Sequence, residues 1–224
     1  MLNIDIITIF PDFFNSIVNY STVLRSIKMK KLSLSIHNLR NYSVHNNGKI
    51  DDYCYGGISG MVLMIEPIAN CIDHLLSIKR YDDIIYLSPD GNILDQNTAN
   101  ELSIKNDIII ICGHYKGIDQ RIRDKYVSKE ISVGDYILSG GEIPATIIIN
   151  AISRLIPGVV NSDSIMLDSF QNGMLEAPIY TRPYNFKGLK VPDILLSGNR
   201  KKIDEWIYKK SIIKTKNNRP DLLK

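Results

Sequence analysis

Ser132-Val133-Gly134-Asp135-Tyr136-Ile137-Leu138-Ser139-Gly140-Gly141-Glu142-Ile143-Pro144 is the stretch that organises the chain. Three glycines flank an apolar turn, Tyr136–Leu138. Before it, Val127–Ser132 has a strand pattern. After it, Ile143–Leu155 has an apolar helix pattern, with Pro144 in the first turn and Pro157-Gly158 past the end. Glycines permit positive φ and let a ligand approach the backbone closely. Such a stretch between strand and helix suits a small-molecule cradle, and alone it does not say for which molecule.

Upstream, strand and helix patterns alternate. Asn3–Phe10, Leu32–Leu39, Asp83–Ser88 and Asp107–Cys112 predict strands, the third ending in the turn signal Ser88-Pro89-Asp90-Gly91 and the last holding four isoleucines. Helices are predicted from Pro11, over Val23–Lys30, from Ile65 to about Lys79, from the Asp95 cap to about Ile104, and over Asp119–Tyr126. Asn41–Gly60 is polar and glycine-rich, without periodicity, and its length points to function or disorder. This alternation predicts an α/β fold with a parallel sheet covered on both faces. Ligands of such sheets sit at the C-terminal strand ends. Three ends stand out: Tyr86–Pro89, Gly113–Gly117 and Ser132–Gly141. They converge only if their strands are neighbours. Asn161–Met174 reads as a linker, and a lysine-rich helical domain follows from about Leu175.

The chain has 224 residues, 44% of them hydrophobic, enough for a real core. No run reaches membrane-span length, and Met1–Phe10 leads straight into a strand. Three scattered cysteines fit a reducing cytoplasm better than a disulfide framework. The overall charge of +3 hides an asymmetry. Met1–Phe186 carries 16 basic and 20 acidic residues, roughly −4, and Lys187–Lys224 carries 11 and 4, roughly +7. The basic tail points either to a polyanionic partner or to a solvated lysine face.

Hydride-transfer and kinase motifs are absent, since no Gly-x-Gly-x-x-Gly follows the first strand and no Gly-Lys-Ser/Thr loop exists. Four scattered histidines give no metal-ligand spacing, and Cys71 with His74 at i, i+3 is more simply packing. Ser139 before two glycines reads as a turn residue rather than a nucleophile. What remains is a backbone-lined pocket for a mostly apolar or zwitterionic ligand carrying an adenine. Arg154, late in an apolar helix, either pairs with an acid or snorkels to solvent. Asp168 is either its partner or a linker solubility residue.

Ser132–Pro144 followed by Arg154-x-Ile156-Pro157-Gly158-Val159 resembles the signature of the bacterial tRNA (guanine-N1)-methyltransferases, within the SPOUT trefoil-knot superfamily. Further stretches agree in order: Ile9-Phe10-Pro11, Asp51-Asp52, Tyr55-Gly56-Gly57, Gly60-Met61, Tyr86-Leu87-Ser88-Pro89, Cys112-Gly113, Gly117-Ile118-Asp119, Asp168-Ser169-Phe170, Tyr180-Thr181-Arg182-Pro183 and Leu195–Asn199. The resemblance implies methyl transfer from S-adenosyl-L-methionine to N1 of the guanine immediately 3′ of the tRNA anticodon, in the cytoplasm. It implies a deeply knotted catalytic domain (1–160), a linker (161–174) and a tRNA-gripping helical domain (175–224). It also implies a homodimer whose active sites draw on both subunits, and magnesium as an accessory ion. By matching position, the donor lies against Tyr86, Leu87, Ser88, Pro89, Gly113, Tyr115, Gly117, Ser132, Val133, Gly134, Asp135, Tyr136, Ile137, Leu138, Gly140, Gly141 and Pro144. Asp168 matches the family's general base, and Arg154 the cation for the charge that develops on O6.

The chain also departs from the family pattern. Arg-Tyr-Glu is usual where His114-Tyr115-Lys116 stands, so an acid becomes a base beside the expected donor site. Gly-Gly-Gly-Pro-Gly-Met becomes Gly56-Gly57-Ile58-Ser59-Gly60-Met61, Tyr53-Cys54 replaces a basic residue and proline, and the C-terminal domain stops early, at Lys224. These changes keep open a tRNA-binding protein of the same fold with weakened or lost catalysis. A ribosomal RNA substrate fits less well, because the similarity extends through the C-terminal domain.

Overall fold

A computed structural model describes residues 1–223, with the side chains of all of them except 162 and 163. Lys224, the expected end of the helical domain, lies outside the described residues. The chain forms two compact units, Met1–Val160 and Asn161–Lys224.

The first unit contains β1 (Leu2–Thr8), α1 (Ser21–Lys28), β2 (Leu32–Asn38), β3 (Asp51–Tyr53), β4 (Met61–Leu63), α2 (Ile65–Ile78), β5 (Asp83–Ile93), α3 (Gln96–Ser103), β6 (Asp107–Cys112), α4 (Gln120–Tyr126), β7 (Lys129–Ser132) and α5 (Glu142–Ser153). Five strands form one sheet in the order β2-β1-β6-β5-β7, and every pairing in it is parallel. The expected α/β class is therefore observed.

The isoleucine runs explain why both faces are covered. Side chains alternate along a strand. In β6, Ile108, Ile110 and Cys112 pack with Ala145, Ile148 and Ile152 of α5. Ile109 and Ile111 point the other way, into a cluster with Ile68 and Ile72 of α2 and Ile122 of α4. Fully burying one such side chain stabilises by about 1.5–3 kcal/mol. The helix starts follow the sequence signals. Asp95 accepts the Thr98 N–H at 2.8 Å, and Asp119 accepts the Arg121 N–H at 2.9 Å.

Several local expectations are corrected. The helix predicted from Pro11 is two 3-10 turns, Pro11–Asn15 and Ile17–Asn19. Asn41–Gly60 is not wholly irregular, because β3 pairs antiparallel with β4, and Tyr55–Gly57 makes a 3-10 turn between them. Three-residue strands are too short to show a period. Strand β5 runs past Ser88–Gly91, the expected turn, because its ladder with β7 shifts register between Leu87 and Asn92 and then resumes.

The second unit holds α6 (Ser162–Leu167), the two-residue strands β8 (Asn185–Phe186) and β9 (Leu189–Lys190), and α7 (Arg200–Asn218). Helix α6 falls in the stretch expected to be irregular. Asn199 caps α7 by accepting the Lys202 N–H at 3.2 Å. The 175–176 segment is tied to α7 by side chains: Thr215 Oγ1 accepts the Leu175 N–H at 2.9 Å, and Lys214 Nζ donates to the Glu176 carbonyl at 2.9 Å. Among the described residues no helix is long and apolar enough to cross a membrane.

One polar cluster sits inside the sheet. Asp5 of β1 is buried, with His37 Nε2 at 2.7 Å, Tyr81 Oη at 2.9 Å and Lys79 Nζ at 3.1 Å. Burial pushes its carboxyl pKa up, but the bonds from His37, Lys79 and Tyr81 outweigh this and hold it below the ordinary 3.8. A depressed carboxyl contributes stability that is full above the unfolded pKa and is lost as pH falls through the folded one. Asp5→Asn should destabilise the protein by about 3 kcal/mol at neutral pH. Urea unfolding should show this difference shrinking as pH drops below about 4, and a difference constant down to acid pH would contradict the assignment.

Candidate active site

The order β6-β5-β7 makes the three strand ends singled out in the sequence neighbours. The loops beyond them are stitched together. The Gly141 N–H donates to the Gly113 carbonyl at 2.9 Å, and His114 bridges both Gly117 and Gly140. The hairpin joins in, with the Lys116 N–H donating to the Met61 carbonyl at 2.9 Å and the Leu63 N–H to the Gly117 carbonyl at 3.1 Å.

These contacts need glycine. A Cβ on Gly141 would lie 2.6 Å from the Cys112 Cα, and one on Gly140 2.1 Å from the His114 ring. The loop after β7 lies directly on the backbone of the loop after β6, with no room for a side chain between.

The result is a cavity of about 420 Å³, within the usual range for small-molecule sites. Of the residues expected to hold a ligand, Tyr86, Leu87, Ser88, Pro89, Gly113, Tyr115, Gly117, Ser132, Val133, Gly134, Tyr136, Ile137, Leu138, Gly140, Gly141 and Pro144 all line it. Asp135 does not line it. Arg154 also lies outside it, as the C-cap of α5. Asp168 belongs to the second unit, where it lines a separate cavity of about 570 Å³ with Tyr180, Arg200 and Trp206. The structure therefore gathers the expected donor-binding residues, and leaves Arg154 and Asp168 each in its own unit.

One charged side chain on the cavity wall, Arg123, was missed from sequence. Arg123 of α4 grips Glu130 with two bonds, at 2.8 and 2.7 Å, and Asp90 with a third at 2.8 Å. Its guanidinium lies over the Tyr86 ring, 5.5 Å from the centroid. Glu130, then Asp90, hold the Arg123 pKa above its ordinary value. The Ser88-Pro89-Asp90-Gly91 turn signal already placed Asp90 at this strand end, but nothing in the sequence links it to Arg123.

A second polar group anchors α5. Glu142 is 4% exposed. It accepts a hydrogen bond from Thr8 Oγ1 at 2.6 Å and faces His114 Nε2 at 2.6 Å. The His114 ring meets Phe10 edge-on at 5.0 Å. These contacts pin the start of α5 to the ends of β1 and β6.

Thiolate chemistry finds no support here. Burial, and then Glu142, push the Cys112 thiol well above its ordinary pKa, and burial pushes Cys71 up to about 12. Among the described residues no group of three or more His, Cys, Asp or Glu side chains is arranged to hold a metal ion. The nearby acids Asp90 and Glu130 are engaged by Arg123. These residues do not fit the expected magnesium ion.

The stitched loops carry a direct test. Gly141→Ala forces a methyl group against backbone that cannot swing aside. It should cost about 1–3 kcal/mol in thermal or urea unfolding, and an unchanged midpoint would show that the two loops do not touch.

The profile of the family described as tRNA (Guanine-1)-methyltransferase TrmD matches residues 2–224. A tRNA (guanine-N(1)-)-methyltransferase of Christiangramia forsetii is 51% identical over 223 residues, covering 99% of both chains. Proteins of the same name from Flavobacterium johnsoniae and Bacteroides thetaiotaomicron are 50% and 48% identical, again over 99% of both chains. Identity of this extent, across the cavity loops and the second unit alike, leaves one conclusion: the chain belongs to the tRNA (guanine-1)-methyltransferase TrmD family.

Proposed function

We propose that this protein transfers a methyl group from S-adenosyl-L-methionine to N1 of the guanine immediately 3′ of the anticodon in tRNA. The observation that carries the reading is the cavity built by the loops after β5, β6 and β7, in a chain matched end to end by tRNA (guanine-N(1)-)-methyltransferases.

The cavity suits an adenosyl ligand. Apolar walls come from Leu87, Ile131, Val133, Ile137 and Leu138, and the glycines bring bare backbone to the surface. Such a lining can take the flat face of adenine and satisfy its edges with main-chain groups. The donor supplies an electrophilic methyl on a sulfonium, so the chain's own residues have two tasks left. Neutral guanine carries a proton on N1, and Asp168 takes it as the N1–C bond forms and the S–C bond breaks. Loss of that proton drives negative charge onto O6, which Arg154 stabilises.

The reading brings further features. The chain around Ser132–Pro144 is threaded as a trefoil knot, in keeping with the tight passage of Gly141 over Cys112. The enzyme works as a homodimer whose active sites draw on both subunits. Apolar side chains left exposed in this stretch and in the first half of α5, Ile137, Ile143 and Ile147, support that reading. The segment from 175 onward is a helical tRNA-gripping domain joined by the 161–174 linker. Its exposed Lys201, Lys202, Lys209 and Lys210 supply charge for the phosphate backbone. Activity is cytoplasmic, where tRNA is handled, and no ready-made cluster for magnesium exists among the described residues.

A second reading, a tRNA-binding protein that no longer methylates, draws on Lys116 at the cavity wall. Primer extension separates the two. After incubation with the methyl donor, reverse transcription should stop at the guanine beside the anticodon, and replacing that guanine should abolish the stop. A bound donor with no stop would select the second reading.

Asp168→Ala should lower turnover by about 10²–10⁴-fold while calorimetry shows donor affinity nearly unchanged. Arg154→Ala should lower it by about 10²–10³-fold. A parallel collapse of donor affinity in the Asp168 variant would assign that residue a structural role.

A further inference from the structure

We propose that Lys116 binds the carboxylate of the methyl donor's methionine portion and so fixes which way round the donor lies in the cavity. The proposal rests on the methyl-donor reading of that cavity.

Four lining side chains are acidic or basic: Asp90, His114, Lys116 and Arg123. Arg123 pairs with Asp90 and Glu130. His114 faces Glu142. Lys116 pairs with no acid among the described residues, and its side chain is exposed. The cavity thus offers an entering ligand one uncommitted charge, and that charge is positive.

The backbone and stem of Lys116 are also held in place. Lys116 sits in the turn that the Gly117 N–H closes onto the His114 carbonyl at 2.9 Å. Its own N–H is held by Met61. Its stem lies along the bare face of Gly60, where an added Cβ would come within 3.2 Å of Cε and 3.3 Å of Cγ. The side chain is packed against the hairpin on one side of the cavity, while Ile137 and Leu138 belong to the β7–α5 loop.

A sulfonium donor carries one anionic group, its carboxylate. Like charges repel, so the sulfonium and the donor's ammonium are kept from Lys116 and the carboxylate is drawn to it. Adenine then takes the apolar wall of the β7–α5 loop. A glutamate at this position would repel the same carboxylate, so a lysine here gives the donor an anchor of its own.

The test compares two nucleosides by calorimetry. S-Adenosylhomocysteine keeps the carboxylate, and 5′-methylthioadenosine lacks it. Lys116→Met should weaken S-adenosylhomocysteine binding by about tenfold, or about 1.4 kcal/mol, and leave 5′-methylthioadenosine within about twofold. Lys116→Arg should retain most of the affinity for S-adenosylhomocysteine. Equal losses for both nucleosides, or no loss for either, would overturn the proposal. So would unchanged nucleoside binding with a raised KM for tRNA, which would assign the ammonium to an RNA phosphate. If the unaltered protein binds neither nucleoside, the methyl-donor reading itself falls, and the anchor with it.

Discussion

One hydrogen bond holds the site together: the Gly141 N–H on the Gly113 carbonyl at 2.9 Å. It exists because neither residue carries a side chain that would keep the two backbones apart. Through it the loop after β7 rests on the loop after β6. Since β5 lies between these strands, Tyr86 and its neighbours are drawn into the same wall. The sheet supplies the rigid base for this contact, because four consecutive isoleucines in β6 pack alternately into the two helix layers. The cavity is thus a consequence of strand order plus bare backbone, and few side chains are needed to shape it.

Charge around that cavity is mostly consumed internally. Arg123 engages both nearby acids, and Glu142 is shared between Thr8 and His114. A buried carboxylate with two close partners can remain in a dry setting, whereas an unpaired one would be costly. This internal pairing keeps the wall close to neutral, as a zwitterionic ligand requires, and leaves Lys116 as the wall's distinguishing feature. The basic second unit has the opposite character, with lysines spread around α7 and open to solvent. The cavity wall and the surface of the second unit thus differ in charge character within one chain.

Much of this was legible in the sequence, for physical reasons. Buried parallel strands read as isoleucine runs, and Asp95 and Asp119 announce their helices by capping them. The C-terminal ends of three predicted strands marked the cavity, and the family resemblance supplied its individual residues, of which Asp135 alone does not line it. Strand order was not legible, because pairing β6 with both β1 and β5 is a non-local choice. The β3–β4 hairpin was missed because three-residue strands carry no period. Arg123 was missed because its partners, Glu130 and Asp90, are brought to it only by the fold. The roles given to Asp168 and Arg154 came from the family resemblance, since an acid in a linker and an arginine ending an apolar helix each have an ordinary explanation.

If the three stitched loops form the methyl-donor site, a crystal structure with S-adenosylhomocysteine will place the nucleoside between residues 86–89, 113–117 and 132–141. Adenine should lie against Ile137 and Leu138, with backbone groups meeting its edges. A nucleoside bound in the cavity beside Trp206, or elsewhere with these loops unoccupied, would contradict that assignment.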